Sequence, residues 1–198
     1  MFLFSSVVFA QSFVIEPGSG SFCPATFPSF VVSGDAECRM WDVRLVDGNG
    51  PDSGLAYWSQ PLTLNADTSF RASFRMRGER NNNDDPSGAV FFLRSTAPSL
   101  GGCCFNMGYD GNADSVGVEF ALYDSEPADG PAPHIGIVYD GNVHAPSPLL
   151  SGVSFLSSYY VWVDYRAETN ALEVRLSANN SRPTNPTLST TRDLQSDL

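Results

Sequence analysis

Ser69-Phe70-Arg71-Ala72-Ser73-Phe74-Arg75-Met76-Arg77 decides the fold class of this chain. Side chains on a β-strand alternate between faces, so Phe70, Ala72, Phe74 and Met76 share one face. Arg71, Ser73, Arg75 and Arg77 share the other. The stretch reads as a strand with one buried face and one solvated face.

The period of two recurs downstream, where Leu172, Val174 and Leu176 alternate with Glu173 and Arg175. Tyr159 to Tyr165 and Ala171 to Leu176 flank the turn-rich spacer Arg166-Ala167-Glu168-Thr169-Asn170, which predicts a hairpin. Ala89-Val90-Phe91-Phe92-Leu93 is apolar throughout and reads as a strand covered on both faces. No long segment holds a helical period. Asn81 to Pro86, Leu100 to Cys104 and Asp124 to Pro133 read as loops, where binding residues tend to sit. Short strands joined by Gly, Pro, Asn and Asp turns indicate an antiparallel sandwich or barrel.

At 198 residues and 42% hydrophobic content the chain suits one well-buried domain. Its formal net charge is −11, and every basic residue is an arginine. Such a surface repels phosphate backbones, which argues against nucleic acid as a partner. No apolar stretch approaches the ~20 residues that span a bilayer. Residues 1–10 form an apolar run ending Val8-Phe9-Ala10, which reads either as a short signal peptide or as a first strand. Residues 11–198 are left as a single domain.

Cys23, Cys38, Cys103 and Cys104 allow three fully paired connectivities. In one, Cys23 bonds Cys38, and the neighbours Cys103 and Cys104 bond each other or stay thiols. A disulfide framework implies secretion, and the absence of a CxxC spacing argues against structural zinc. Asn179-Asn180-Ser181 fits the N-glycosylation pattern from Asn179.

Chemistry concentrates between Asp114 and Ile137. Asp114-Ser-Val-Gly-Val-Glu119-Phe-Ala-Leu-Tyr123 puts a carboxylate on an apolar strand, Asp129 lies on the following loop, and His134-Ile135-Gly136-Ile137 opens the next strand. Hard-metal sites that brace a loop are built from such groups. The plain structural alternative pairs Glu119 with an arginine such as Arg75.

Taken with other fragments in order, the stretch resembles the L-type, or legume-type, lectin domain. The match starts near Gly34-Asp35-Ala36 and runs through Gly54 to Leu62, Ser69 to Met76, Ser87 to Leu93 and Gly108-Tyr109. It continues through Asn112 to Tyr123, His134 to Ile137, Val161 to Tyr165 and Asn170 to Leu176, and closes at Arg192-Asp193-Leu194. The resemblance implies an all-β, concanavalin-A-like antiparallel jelly-roll sandwich that binds glycans or glycoproteins. It also implies calcium and a manganese-type transition metal beneath a shallow sugar site. By position, Glu119, Asp129 and His134 match transition-metal ligands, Tyr123 offers its carbonyl to calcium, and Asp129 bridges the ions. Ser87, Gly101, Gly102, Tyr123 and Ser125 fall on the sugar site.

The departures are specific. The family's bridging Asp, two residues after Glu119, is Ala121, and its Asn is Ser125. A methyl group gives calcium no oxygen, so both metals are in doubt unless Asp124 or Glu126 re-enters the site. Ser87 stands where the sugar-binding Asp is expected, with Asp84 and Asp85 just upstream. The family pattern continues through two further strands beyond Leu194, so the sandwich is expected to lack its last two strands; either the sequence is a fragment or another chain completes the sheet at its exposed edges.

Glucan hydrolases of similar architecture use two carboxylates flanking the scissile bond. On a strand the position that follows Glu119 on its face is Ala121, so that pattern fails and an enzyme is not expected. No Gly-x-Ser-x-Gly elbow accompanies His134 and His144, and His144 in its Gly/Pro-rich loop reads as an uncommitted imidazole. Trp41, Trp58 and Trp162 sit in strand-like runs and read as packing residues. A secreted, non-enzymatic glycan-binding sandwich is the expectation. An adhesion or structural sandwich that has lost sugar binding is the alternative.

Overall fold

The computed structural model describes residues 5–8, 11–14, 30–39, 42–47, 52–61, 63–78, 87–122, 131, 133–146, 148–151 and 158–198. Within them the chain is almost entirely β. A hairpin of β1 (Ser5–Val8) and β2 (Gln11–Val14) comes first, so the apolar N-terminal run contains a strand. β3 (Phe30–Gly34) pairs with β6 (Gly54–Trp58), and the short β4 (Glu37–Cys38) pairs with β5 (Val43–Arg44).

Two four-stranded antiparallel sheets carry the rest. One has the order β11-β10-β9-β8, from Leu149–Ser151, His134–Tyr139, Ser115–Ala121 and Gly88–Arg94. The other has the order β14-β13-β12-β7, from Leu188–Thr191, Ala171–Ser177, Ser158–Arg166 and Phe70–Arg77.

The alternation read from the sequence sets the layers. Phe70, Ala72 and Met76 of β7 are buried with Val161 and Val163 of β12 and Leu172 and Val174 of β13. They meet Phe91, Val118, Phe120, Ile135 and Ile137 of the first sheet in one continuous core. Phe74 stacks on Phe91 at 5.5 Å and meets the edge of Phe120 at 6.2 Å. Two sheets facing each other through interdigitated apolar side chains make a sandwich. The predicted hairpin is β12–β13, turning at 167–170.

Both faces of the first sheet are covered, as the apolar run of β8 requires. Its outer face buries Val90, Phe92 and Val138 beneath Leu55, Tyr109 and Val143, a second and smaller core. The outer face of the other sheet is polar. There Asp164 accepts from Arg71 Nε at 2.5 Å, Arg175 Nη1 at 2.7 Å and Arg182 Nη2 at 2.6 Å. Trp162 is nearly buried on that face, stacked on Tyr160 at 6.3 Å, while Trp58 packs against the core. Trp41 lies outside the described residues. After β14, α1 (Leu194–Asp197) is capped by the Asp193 carboxylate, which accepts from Gln195 N, and inserts Leu194 into the core.

Candidate functional site

Strand register collects the site at one end of the first sheet. Gly88 of β8 pairs with Ala121 of β9, Ala121 with His134 of β10, and His134 with Ser151 of β11. Glu119 lies one same-face step inside that row, between Val90 and Gly136. Val116, Val118 and Phe120 point into the sandwich, so Ser115, Gly117, Glu119 and Ala121 point outward.

Outward does not mean exposed here. Glu119, Ala121 and His134 are each 0% accessible. His134 Nε2 lies 3.5 Å from Glu119 Oε2. Gly136, opposite Glu119, lets the cover close. A Cβ there would come within 2.3 Å of Pro146 Cβ, so Pro146 can seat over the strand only because position 136 lacks a side chain. Arg75, the arginine named as a partner for Glu119, is not beside it. Arg75 stands on the far face of the other sheet, 6.0 Å from the Tyr160 ring centroid and bonded to Ser158 Oγ at 2.8 Å. Strand alternation puts it on the solvent side of β7, away from β9 entirely.

The loop from Ser95 to Asp114 forms the neighbouring wall. Asn112 is fully buried and works as a strut. Its Oδ1 accepts from Ser99 N at 3.0 Å and Arg94 Nη1 at 2.8 Å, and its Nδ2 donates to Ser99 O at 2.9 Å and Tyr109 O at 2.8 Å. Tyr109, also fully buried, lies edge-on to Phe92 at 5.0 Å. Its hydroxyl donates to Ser115 Oγ at 2.7 Å, and Ser115 in turn donates to Asn112 O. Burial pushes the Tyr109 phenol up to about 12, against the opposing pull of the Ser115 hydrogen bond.

At the tip of this wall Gly101 N donates to Gly108 O at 2.9 Å, and Gly108 N to Gly102 O at 2.9 Å. These bonds close a tight loop around a single 3-10 turn at Cys104–Asn106. A Cβ on Gly101 would fall 2.4 Å from Asp110 O, so that glycine is required by close approach. The loop leans on the row described above, because a Cβ on Gly88 would lie 2.8 Å from Met107 Sδ. Ser87, whose carbonyl accepts from Leu122 N at 2.9 Å, stands half-buried at the same corner.

Sequence reading missed the tie between this loop and the next. His144 Nε2 lies 3.2 Å from Asn106 Oδ1, so the imidazole expected to be uncommitted joins the 101–108 loop to the segment after β10. A histidine and an asparagine 38 positions apart carry no local signal of contact.

The family model described as the legume lectin domain matches residues 20–198. The chain belongs to the legume lectin domain family. Legume lectins bind carbohydrate, and the jelly-roll expectation is borne out by solved relatives. Peanut lectin with a 9mer peptide superposes with a TM-score of 0.72 at 25% identity, over 90% of this chain and 82% of that one. Lectin I from Ulex europaeus, in complex with the methyl glycoside of α-L-fucose, gives 0.70 at 23% identity over 86% and 80%. The exoplasmic/lumenal domain of VIP36, in a Ca2+/Man3GlcNAc-bound form, gives 0.64 at 13% over 87% and 76%. No curated protein matches the chain.

Of the residues carried onto the legume lectin pattern, the structure sets Glu119 and His134 side by side, and it seats Met107 of the loop that holds Gly101 and Gly102 against Gly88, the chain neighbour of Ser87. Tyr123, Ser125 and Asp129 lie outside the described residues, as do Asp84, Asp85, Asp124, Glu126 and Cys23. Among the described residues no three metal-ligating side chains converge. An adjacent carboxylate and imidazole, both buried, fit two positions of a transition-metal set. They do not fit calcium, which takes oxygen ligands, and the buried Ala121 methyl adds none.

Proposed function

We propose that this chain is a secreted glycan-binding protein with no catalytic step, taking sugar at the corner where Ser87 meets the 101–108 loop. The observation that carries the reading is the Gly88–Ala121–His134 row with the Met107 loop seated against it. In this reading the Ser87 hydroxyl and a glycine amide of the loop would form one rim near the buried carboxylate–imidazole pair. Gly101 N–H is engaged by Gly108, so Gly102 would be the glycine that offers its amide to a ligand. Sugar hydroxyls both donate and accept, which suits a rim of hydroxyl and amide groups.

Glu119 and His134, completed by Asp129, would hold a transition metal. A bound ion there would stiffen the segment after β9 and do no chemistry. Hydrolysis is disfavoured because the same-face neighbour of Glu119 is a buried methyl, which leaves no second carboxylate on that strand to flank a scissile bond. Glycoproteins are the partners this reading implies, and exposed sheet edges are where a second copy would pair.

Ala121 favours a second reading, in which the sandwich is kept as an adhesion or structural domain without sugar affinity. A glycan array probed with the purified chain separates the two, run with calcium and manganese and again after chelation. Binding that chelation abolishes supports the metal-braced lectin, and binding that survives it supports a lectin without metal. Silence from a folded sample in both conditions leaves the structural domain.

A further inference from the structure

Cys103 and Cys104 stand at the tip of the candidate sugar loop, and their half-buried sulfurs are 2.7 Å apart. The backbone around them is unusual. Cys104 has φ 63 and Met107 has φ 48, left-handed conformations that a non-glycine residue keeps only where neighbours enforce them. The neighbours are the loop's own bonds, Asn106 N to Cys103 O at 3.3 Å and Met107 N to Cys104 O at 3.0 Å.

We infer that Cys103 and Cys104 are a reversible redox site, which low-molecular-weight disulfides such as oxidised glutathione convert to an internal disulfide that reshapes the 101–108 loop. One thiol loses its proton, and the thiolate attacks a sulfur of the small disulfide. A mixed disulfide forms and one small thiol leaves. The neighbouring cysteine, also as thiolate, then attacks the protein sulfur of that bond and expels the second small thiol. The protein gives up two protons and two electrons, and one small disulfide becomes two thiols.

Geometry makes the bond reversible. Adjacent Cα atoms are ~3.8 Å apart across a trans peptide, below the ~4.4–6.8 Å of ordinary disulfides. Strained disulfides have the higher potentials that suit labile, regulatory bonds. Geometry also makes the bond consequential. The ring it closes includes the peptide between the two cysteines, whose carbonyl is the acceptor for Asn106 N. Asn106 in turn holds His144, so twisting that peptide disturbs the 3-10 turn and its tie to the segment after β10. The effect on ligand rests on the glycan-binding reading above, whereas the chemistry of the pair does not.

The test equilibrates the full chain across a series of reduced-to-oxidised glutathione ratios, followed by acid quench, alkylation and mass mapping. The expected result is loss of two hydrogen masses and of alkylation at Cys103 and Cys104 together, reversed by excess reduced glutathione. Amide exchange at Asn106, Met107 and Gly108 should quicken in the oxidised form. Cys104→Ser should instead stop at a glutathione adduct on Cys103. Alkylation of both residues at every ratio, or unchanged exchange once the bond has formed, would overturn the inference. Glycan binding is then compared in both states. A switchable loop with no glycan bound in either state removes the sugar reading and leaves the redox site standing.

Discussion

Glu119 and His134 face each other across the β9–β10 pair at 3.5 Å, sealed under Pro146 and without solvent contact. Removing one member of a buried polar pair takes from the other an interaction that helps to offset its burial. Glu119→Ala should therefore cost about 3 kcal/mol with metal chelated, read from the urea midpoint. Manganese should raise the melting temperature of the parent chain and leave that of the variant unmoved, because an ion stabilises only the state that binds it. A parent chain indifferent to manganese would remove the metal role from the pair.

Asp164 gathers three guanidinium groups although it is almost wholly buried. Asp164→Asn should cost about 3 kcal/mol, since buried Arg175 is left with Glu173 Oε2, 2.8 Å from its Nη2, as its remaining carboxylate partner. Arg71 is 47% exposed on the same carboxylate, so Arg71→Ala should cost only about 0.5–1 kcal/mol. Denaturant titration of both variants checks the contrast. Equal costs would mean the carboxylate is not the centre of the network.

Tyr109 gives the chain an alkaline limit. Its phenol is raised from 10.0 to about 12 in the folded state, so as pH climbs the unfolded chain releases that proton first. Stability is complete below pH ~10 and falls between ~10 and ~12, by about 3 kcal/mol at most for this one group. Burial raises Tyr139 and Tyr165 in the same direction. Tyr109→Phe should lose about 1 kcal/mol at neutral pH with the Ser115 hydrogen bond, and should flatten the alkaline decline. An unchanged decline would assign it to other groups.

Gly101 and Gly102 should respond differently to the same methyl. At Gly101 it meets backbone, Asp110 O at 2.4 Å, whereas at Gly102 the nearest atom is the Asn106 Nδ2 side-chain end at 2.9 Å. Gly101→Ala should cost about 1–3 kcal/mol through strain. Gly102→Ala should stay within about 0.5 kcal/mol yet weaken glycan binding by crowding the rim. Melting curves paired with binding titrations test the split.

The β7 and β13 alternations reached the structure intact because a period of two states both where the strand lies and which face is buried. Val90, Phe91 and Phe92 told the same truth in another form, since an apolar run has to be covered twice. The site was legible only where it is built on strands. Glu119 and His134 are neighbours because β9 and β10 pair, and the hairpin pattern carries that information. Arg75 was misjudged as a partner for Glu119 because opposite charge says nothing about which sheet a residue sits on. Tyr109, Asn112, Asn106 and His144 were missed because loop contacts depend on how the chain closes in space, and no periodicity encodes that.

Six of the 11 cationic residues, Arg71, Arg75, Arg77, Arg166, Arg175 and Arg182, stand on or beside the outer face of β7, β12 and β13. Among the described residues Asp164 and Glu173 are the carboxylates paired with them, so arginine outnumbers carboxylate on that face. The whole chain carries −11. The molecule is thus electrically lopsided, and its net charge misstates how it meets other surfaces. At low salt it will turn this side toward an anionic support, and the orientation will fade as added ions shorten the reach of the field.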